Sequence, residues 1–192
     1  MRVEGLVLAA GLSSRMGDNK LMKTIDHMPM IEQVLANMIP FCERIVVVVG
    51  HRRDELAKIL KKYKQVEIVV NDDYQSGMFS SVKAGCKAIR GDRFFLTPAD
   101  IPFVKPATYK ALIEADGEIV VPSMNHHAGH PILIQRKIVA DIESSDAMHL
   151  RAYLQKWEKT YVCVEDEGIF IDIDTPEDYQ KYGRRGEHEN NG

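Results

Sequence analysis

VEGLVLAAGLSSRMGDNK, residues 3–20, joins a short apolar run to a loop with two glycines, two serines, an arginine and a lysine. The run Val3–Ala9 predicts a first strand that is buried on both faces. The glycines of the loop let a ligand approach the backbone closely, and consecutive backbone N–H groups there form a concave anion site. Arg15 adds a planar guanidinium and Lys20 a point charge. The stretch therefore predicts a polyphosphate site at the carboxyl end of the first strand.

The loop differs from the two common nucleotide-binding fingerprints. Five residues separate Gly11 from Gly17 and Asp18 follows, whereas a Walker loop has about four residues there and then a lysine. The sequence contains no G-x-G-x-x-G, which excludes the dinucleotide-binding pattern. A glycine loop on its own is equally typical of a plain turn between a strand and a helix, so the loop alone leaves both possibilities open.

Composition places the chain among single-domain globular proteins. It has 192 residues and a formal net charge of -3, and neither half is strongly basic, so a nucleic-acid groove is not expected. Its three cysteines are scattered without a C-x-x-C motif, no signal-peptide pattern opens the chain, and no apolar run approaches the roughly 20 residues that span a bilayer. We expect a cytoplasmic protein without membrane contact, with one domain over residues 1–183 and a disordered tail over residues 184–192.

Short apolar runs alternate with amphipathic helical patterns along the chain. The predicted strands are Val3–Ala9, Arg44–Val49, Val66–Asn71, Arg93–Thr97, Glu118–Pro122, Pro131–Gln135, Thr160–Val164 and Ile169–Ile173. The predicted helices are Ile31–Ile39, Leu56–Leu60, Met78–Ile89, Thr108–Ala115, Arg136–Glu143 and Ala147–Trp157. This order predicts a three-layer α/β/α sandwich around a Rossmann-like, mainly parallel sheet. The later strands follow one another more closely, which favours an antiparallel part of the sheet.

Carboxylates stand at two distant places that could hold a metal. Asp100 follows an apolar run and precedes a proline, where it either binds Mg²⁺ or caps the next turn. Asp172 and Asp174 alternate with isoleucines on the predicted strand Ile169–Ile173, so they would share one face. Two like charges there require a cation, which is either a metal or an arginine or lysine. Directly after them, residues 175–178 predict a capping box at a helix start.

Two further segments carry polar groups of interest. QSGMFSS, residues 75–81, predicts a helix start that either binds an anion or a nucleotide hydroxyl or is simply capped by a serine. GHP, residues 129–131, opens a predicted strand. Histidines 126, 127 and 130 have no carboxylate or thiol close in sequence, which favours a solvated loop over a zinc site.

The pattern L-A-A-G-x-S-x-R-M-G-x-x-K of residues 8–20 resembles the signature of the MobA-like nucleotidyltransferases, the family of the molybdenum-cofactor guanylyl- and cytidylyltransferases. The similarity extends from Leu6 to Tyr179 and includes D-I-P at residues 100–102, G-M-x-x-S at 77–81, G-H-P at 129–131 and D-I-D-T-P-E-D at 172–178. The resemblance implies a fold of the nucleotide-diphospho-sugar transferase type, in which the first loop cradles the triphosphate of an NTP.

The resemblance also implies roles for individual residues. Arg15, Lys20 and Asp100 are implied to be catalytic. Mg²⁺ is implied on Asp100 together with Asp172 or, as the second choice, Asp174. His130 and Arg151 are implied to contact the acceptor. The implied nucleotide-binding residues are Leu8, Ala9, Ala10, Gly11, Ser13, Arg15, Lys20, Gly77, Ser81 and Asp100.

The implied activity is Mg²⁺-dependent transfer of a nucleoside monophosphate to a phosphate-bearing acceptor, with release of pyrophosphate. Ala10, where the guanylyl branch has glycine, favours CTP as the donor and a molybdopterin-like acceptor, and a molybdoenzyme or its chaperone is an implied transient partner. Segments 26–28 and 145–151 depart from the family pattern and leave the acceptor open. The alternatives are a guanylyltransferase, a sugar- or alcohol-phosphate cytidylyltransferase, a glycosyltransferase that uses Asp172-x-Asp174, and a non-catalytic molybdenum-cofactor carrier.

Overall fold

A computed structural model describes residues 1–11 and 20–183 of the chain. The strands in these ranges are β1 (Val3–Ala9), β2 (Thr24–Ile25), β3 (Met28–Pro29), β4 (Arg44–Val49), β5 (Val66–Val70), β6 (Arg93–Pro98), β7 (Ile119–Met124), β8 (His127–Ala128), β9 (Ile132–Gln135) and β10 (Thr160–Cys163). The α-helices are α1 (Met30–Met38), α2 (Arg53–Leu60), α3 (Met78–Cys86), α4 (Pro106–Glu114), α5 (Val139–Ser144), α6 (Leu150–Leu154) and α7 (Pro176–Tyr182).

The main sheet has the strand order β10-β7-β9-β6-β1-β4-β5, and β8 pairs with β7 at its margin. Strand β1 lies at the centre and runs parallel to both β4 and β6, and β5 runs parallel to β4. Strand β9 is antiparallel to β6 and β7, whereas β10 is parallel to β7. The sheet is therefore mainly parallel with an antiparallel part, as the spacing of the runs predicts.

Both faces of the sheet are covered by helices, because successive residues of the central strands point to opposite sides. Val7 and Val47 pack with α1, α2 and α4 in one core, while Leu6 and Val46 pack with α3, α5 and α6 in the other. All four of these side chains are fully buried. This arrangement confirms the three-layer α/β/α sandwich.

The prediction of a strand over Ile169–Ile173 is wrong. The chain forms a 3₁₀ turn over Glu167–Phe170 and then continues extended without strand partners. The cause is Asp166, which is almost fully buried and accepts hydrogen bonds from the backbone N–H of Lys105 at 2.9 Å and from the hydroxyl of Thr108 at 2.6 Å. These bonds fasten the turn to the start of α4 and leave the segment no place in the sheet.

Two helix predictions also change in extent. Helix α6 is restricted to Leu150–Leu154 within the predicted range 147–157, and the predicted helix at 136–143 begins as a 3₁₀ turn, Arg136–Ile138, before α5. The capping box of α7 forms as predicted, between Thr175 and Asp178. In the two described ranges, no helix combines the length and the apolar composition needed to cross a bilayer.

Candidate active site

The carboxyl ends of β1 and β6 open into a cavity of about 520 Å³. Leu8 lies opposite Pro98 in the parallel register of the two strands, and the N–H of Ala99 donates to the carbonyl of Leu8 at 3.0 Å. The two chains therefore leave the sheet side by side. Ala10 and Asp100, one or two residues further on, line the same cavity. This is the edge at which open parallel sheets bind ligands.

Lys20 lies between two of the predicted metal ligands. Its Nζ donates to Oδ2 of Asp100 at 2.7 Å and also to Oδ1 of Asp174, and its side chain is only 12% exposed. Burial opposes the charge of Lys20, but the charges and hydrogen bonds of Asp100 and Asp174 outweigh it and raise the pKa of Lys20. The ammonium is therefore a fixed cation at this end of the cavity.

The segment after the 3₁₀ turn reaches Asp100 through backbone contacts. The N–H of Ile173 donates to the carbonyl of Asp100 at 2.9 Å, and the N–H groups of Asp174 and Thr175 donate to the capping carboxylate of Asp178. These bonds bring Asp172 and Asp174 to the lining of the cavity. Burial, and then the negative charges of Asp100 and Asp174, raise the pKa of Asp172. A surplus of negative charge therefore surrounds the single ammonium in this described part of the site.

The opposite wall of the cavity comes from the start of α3. Gly77 has φ +99°, a conformation that favours glycine, and no atom within 4 Å would meet a side chain there. Ser81 is almost fully buried and also lines the cavity. Tyr74, which the sequence analysis missed, contributes to this wall and packs against Gly50, where an added Cβ would lie 2.8 Å from the Cβ of Tyr74.

The two predicted acceptor contacts have different positions. His130 lines the cavity, its Nδ1 is buried with no hydrogen-bond partner in the described part of the chain, and burial lowers its pKa. Arg151 is exposed on α6 and does not line the cavity. The reason is that Tyr153, two residues further along this helix, turns into the core. The structure therefore does not bring Arg151 to the site where the sequence analysis expects it.

Several predicted site residues can be located and others cannot. Leu8, Ala9, Ala10 and Gly11 line the cavity from the end of β1. Ser13 and Arg15 lie outside the described residues. Within residues 1–11 and 20–183, no group of three or more His, Cys, Asp or Glu side chains is placed so that it could hold a metal ion.

An ammonium and carboxylates gathered at the carboxyl ends of parallel strands are typical of an enzyme that binds a nucleotide through its phosphates. Comparison with known proteins narrows this class. Residues 5–161 match the MobA-like NTP transferase domain. The chain belongs to the MobA-like NTP transferase family and is a nucleotidyltransferase.

Two relatives represent the two nucleotide branches. The molybdenum cofactor cytidylyltransferase of Escherichia coli (strain K12) is 32% identical over 180 residues, which cover 92% of this chain and 93% of the relative. A protein of Bacillus cereus (strain G9842) named "Probable molybdenum cofactor guanylyltransferase" is 24% identical over 192 residues, which cover 93% of this chain and 94% of the relative.

Solved structures show the same fold. Rv0371c from Mycobacterium tuberculosis H37Rv superposes with a TM-score of 0.83 at 20% identity, over 95% of this chain and 97% of that one. The structure of that protein in complex with manganese gives a TM-score of 0.79 at 19% identity, over 95% and 98% of the two chains.

Proposed function

We propose that the protein transfers CMP from CTP to a molybdopterin-like phosphate acceptor, with a divalent metal, and releases pyrophosphate. The observation that carries the proposal is the Lys20 ammonium held between Asp100 and Asp174 in a cavity at the end of β1. The 32% identity with a cytidylyltransferase over 92% of the chain supports the choice of nucleotide and acceptor. Ala10 at the end of β1 agrees with that choice.

Asp100, together with Asp172 or, as the second choice, Asp174, would hold the metal. Carboxylate oxygens are the ligands that Mg²⁺ prefers, and Mg²⁺ takes its remaining ligands from substrate phosphates and water, so a closed protein cage is not required. The Lys20 ammonium, which contacts two of these carboxylates, is a stand-in for such a cation. When bound, the metal supplies Lewis-acid polarisation of the phosphate oxygens. Rv0371c, a fold neighbour at 19% identity, has been solved in complex with manganese, which supports a divalent metal as the cofactor.

The chain itself positions the reactants and stabilises charge. A phosphate oxygen of the acceptor attacks the α-phosphorus, the bond from that phosphorus to the bridging oxygen breaks, and pyrophosphate leaves with both electrons. Since a phosphate monoester is already ionised at neutral pH, the attack needs no strong general base. Lys20 and Arg15 neutralise the charge that accumulates on the leaving pyrophosphate. His130, at the cavity wall, contacts the acceptor.

The test is a matrix of the four NTPs against molybdopterin and simpler phosphate acceptors, with Mg²⁺, in which released pyrophosphate is measured. CTP with molybdopterin should give the highest rate. Preference for GTP would favour the guanylyltransferase alternative, to which the relative at 24% identity points. Pterin binding without pyrophosphate release from any pair would refute the proposal and favour a carrier. The cytoplasmic location and the transient contact with a molybdoenzyme or its chaperone stay predictions.

A further inference from the structure

Asn71 is a buried polar residue that follows β5 and does not line the cavity. It is 5% exposed, and its backbone N–H donates to the carbonyl of Val49 at 2.8 Å, which extends the pairing of β4 with β5. Its Oδ1 accepts a hydrogen bond from the N–H of Asp73 at 3.0 Å. Because a backbone N–H can only donate, this bond fixes the amide oxygen on that side and leaves the NH₂ group facing α3.

The NH₂ group of Asn71 donates to two neighbouring serines. Its Nδ2 lies 2.8 Å from Oγ of Ser80 and 2.9 Å from Oγ of Ser81. Ser80 passes its own hydrogen to the carbonyls of Asp73 or Gly77, at 2.9 and 2.8 Å. Ser81 lines the cavity. In the described ranges, its hydroxyl hydrogen has no acceptor. The Ser81 oxygen is used as an acceptor by Asn71, so its O–H is left to donate into the cavity.

The wall around Ser81 suits the nucleoside half of a nucleotide. The residues that the segment 74–81 contributes to the lining are all uncharged: Tyr74, Gln75, Gly77, Met78 and Ser81. The charged groups, Lys20 and the three aspartates, lie on other segments of the lining. Phosphates and metal belong with the charged groups, which leaves the wall of α3 for the base and the ribose. Both offer oxygen or nitrogen acceptors for a hydroxyl donor.

We infer that Asn71 is a positioning residue that sets the Ser81 hydroxyl as a hydrogen-bond donor to an acceptor atom of the nucleoside. The inference rests on the proposed function, since it requires that the cavity binds an NTP. Asn71 itself touches no substrate. It determines whether the hydroxyl of Ser81, which contacts the nucleoside, acts as a donor or as an acceptor. Aspartate is the suitable replacement for testing this role, because it has the shape of asparagine and lacks only the NH₂ donor.

Asn71→Asp keeps the acceptor for the N–H of Asp73 and replaces the NH₂ donor by a second acceptor. The Ser81 hydrogen then turns toward the new carboxylate, and the Ser81 oxygen presents lone pairs to an acceptor atom of the nucleoside. We expect the Kd for CTP, measured by calorimetry on the full chain, to rise about 10-fold or more. The reason is that the hydrogen bond from Ser81 to the nucleoside is lost and the acceptor atom of the nucleoside is left without a donor. The kcat at saturating CTP should change less than about twofold, because the reacting phosphates lie elsewhere.

A double-mutant cycle separates a relay through Ser81 from a general loosening of the wall. Ser81→Ala alone should raise the Kd about as much as Asn71→Asp, and the double variant should be no worse than Asn71→Asp. Ser80→Ala, which removes the other serine held by Asn71, should leave the Kd within about twofold. Asn37→Asp is the matched control. The Nδ2 of Asn37 donates to the carbonyl of Pro102 at 2.8 Å, and neither residue lines the cavity.

A comparison of CTP with dCTP narrows down the acceptor atom, and a second variant keeps the test possible if Asn71→Asp does not fold. If the effect of Asn71→Asp disappears for dCTP, the acceptor is the ribose 2′-oxygen, and if the effect is the same, the acceptor is another atom of the sugar or an atom of the base. Should Asn71→Asp not fold, Asn71→Ala replaces it, with a smaller Kd increase that must also vanish in the Ser81→Ala background. Additive penalties in either cycle would overturn the inference alone. Failure of the wild-type protein to bind any NTP would instead overturn the proposed function.

Discussion

Replacement of Lys20 by methionine removes the ammonium that lies between Asp100 and Asp174 and keeps a side chain of similar length. The side chains of the three residues are 12%, 20% and 37% exposed, respectively. Removal of one partner of a fully buried ion pair costs about 3–5 kcal/mol, whereas an exposed pair contributes about 0–1 kcal/mol. For these intermediate exposures we expect a loss of about 2 kcal/mol. In a protein of this size that lowers the Tm by about 4–8 °C.

The same variant should gain affinity for a divalent metal in the absence of nucleotide. In the wild-type protein a metal ion must compete with the ammonium of Lys20 for Asp100 and Asp174, whereas in Lys20→Met this ammonium is absent. A metal at about 30 times its Kd stabilises the folded state by about 2 kcal/mol, which is enough to restore the lost stability. Mg²⁺ or Mn²⁺ should therefore raise the Tm of Lys20→Met much more than that of the wild-type protein.

Thermal unfolding in EDTA and in a metal series measures both effects, and pyrophosphate release measures turnover, which should fall about 10²-fold. Lys23→Met is the control: it removes an ammonium from the same segment, where Nζ lies 5.4 Å from the centre of the Tyr179 ring. That variant should respond to metal like the wild-type protein. Equal metal-induced Tm shifts in Lys20→Met and the wild-type protein would contradict the assignment of Lys20 as a stand-in cation.

Three further predictions follow from individual contacts. Asp100→Asn should lower turnover about 10²-fold, and near-normal rates would exclude Asp100 from the mechanism. Burial raises the pKa of Glu4, but hydrogen bonds from Arg44 and from a backbone N–H outweigh burial and lower it. The Glu4 carboxylate therefore stabilises the fold at pH values above its unfolded pKa. This stabilisation is lost as the pH falls through the lower pKa of the folded state. In urea unfolding, Glu4→Gln should cost about 1–2 kcal/mol at pH 7 and much less at pH 3, and a gap independent of pH would refute this. Gly50→Ala should push Tyr74 from the cavity wall and raise the Kd for CTP about 10-fold, with unchanged binding as the contrary result.

Strands that are buried on both faces could be predicted from the sequence almost to the residue. Val3–Ala9 and Arg44–Val49 have the same bounds in the sequence analysis and in the structure. Each is mostly apolar on both faces, as expected for a strand between two helical layers. The strand prediction for Ile169–Ile173 is wrong because it depended on alternation alone, and the buried carboxylate of Asp166 decides the local structure through contacts with α4.

Residues of the cavity lining can be named from the sequence where they belong to a local motif. Contacts between residues that are far apart in the sequence cannot be predicted in this way. Gly11, Gly77 and Ser81, which line the cavity, could be named from the sequence because glycine and serine stand at fixed offsets from predicted elements. The pairing of Lys20 with Asp174 spans 154 positions, and no local pattern contains it. Asn71 was missed for a different reason: an asparagine after a strand is an ordinary turn residue, and only the positions of Ser80 and Ser81 give it a role.

Asp172 and Asp174 alternate with buried isoleucines in a segment that pairs with no described strand. Alternation of isoleucine and aspartate requires an extended backbone with one buried side, and it does not require a strand partner. Ile171 and Ile173 are buried in the core while Asp172 and Asp174 both line the cavity, although no ladder forms there. The electrostatic step of the argument was independent of the strand, since like charges on one side need a cation in any extended chain. Lys20 supplies one such cation, since its ammonium contacts Asp100 and Asp174, and a divalent metal would compete for the same carboxylates.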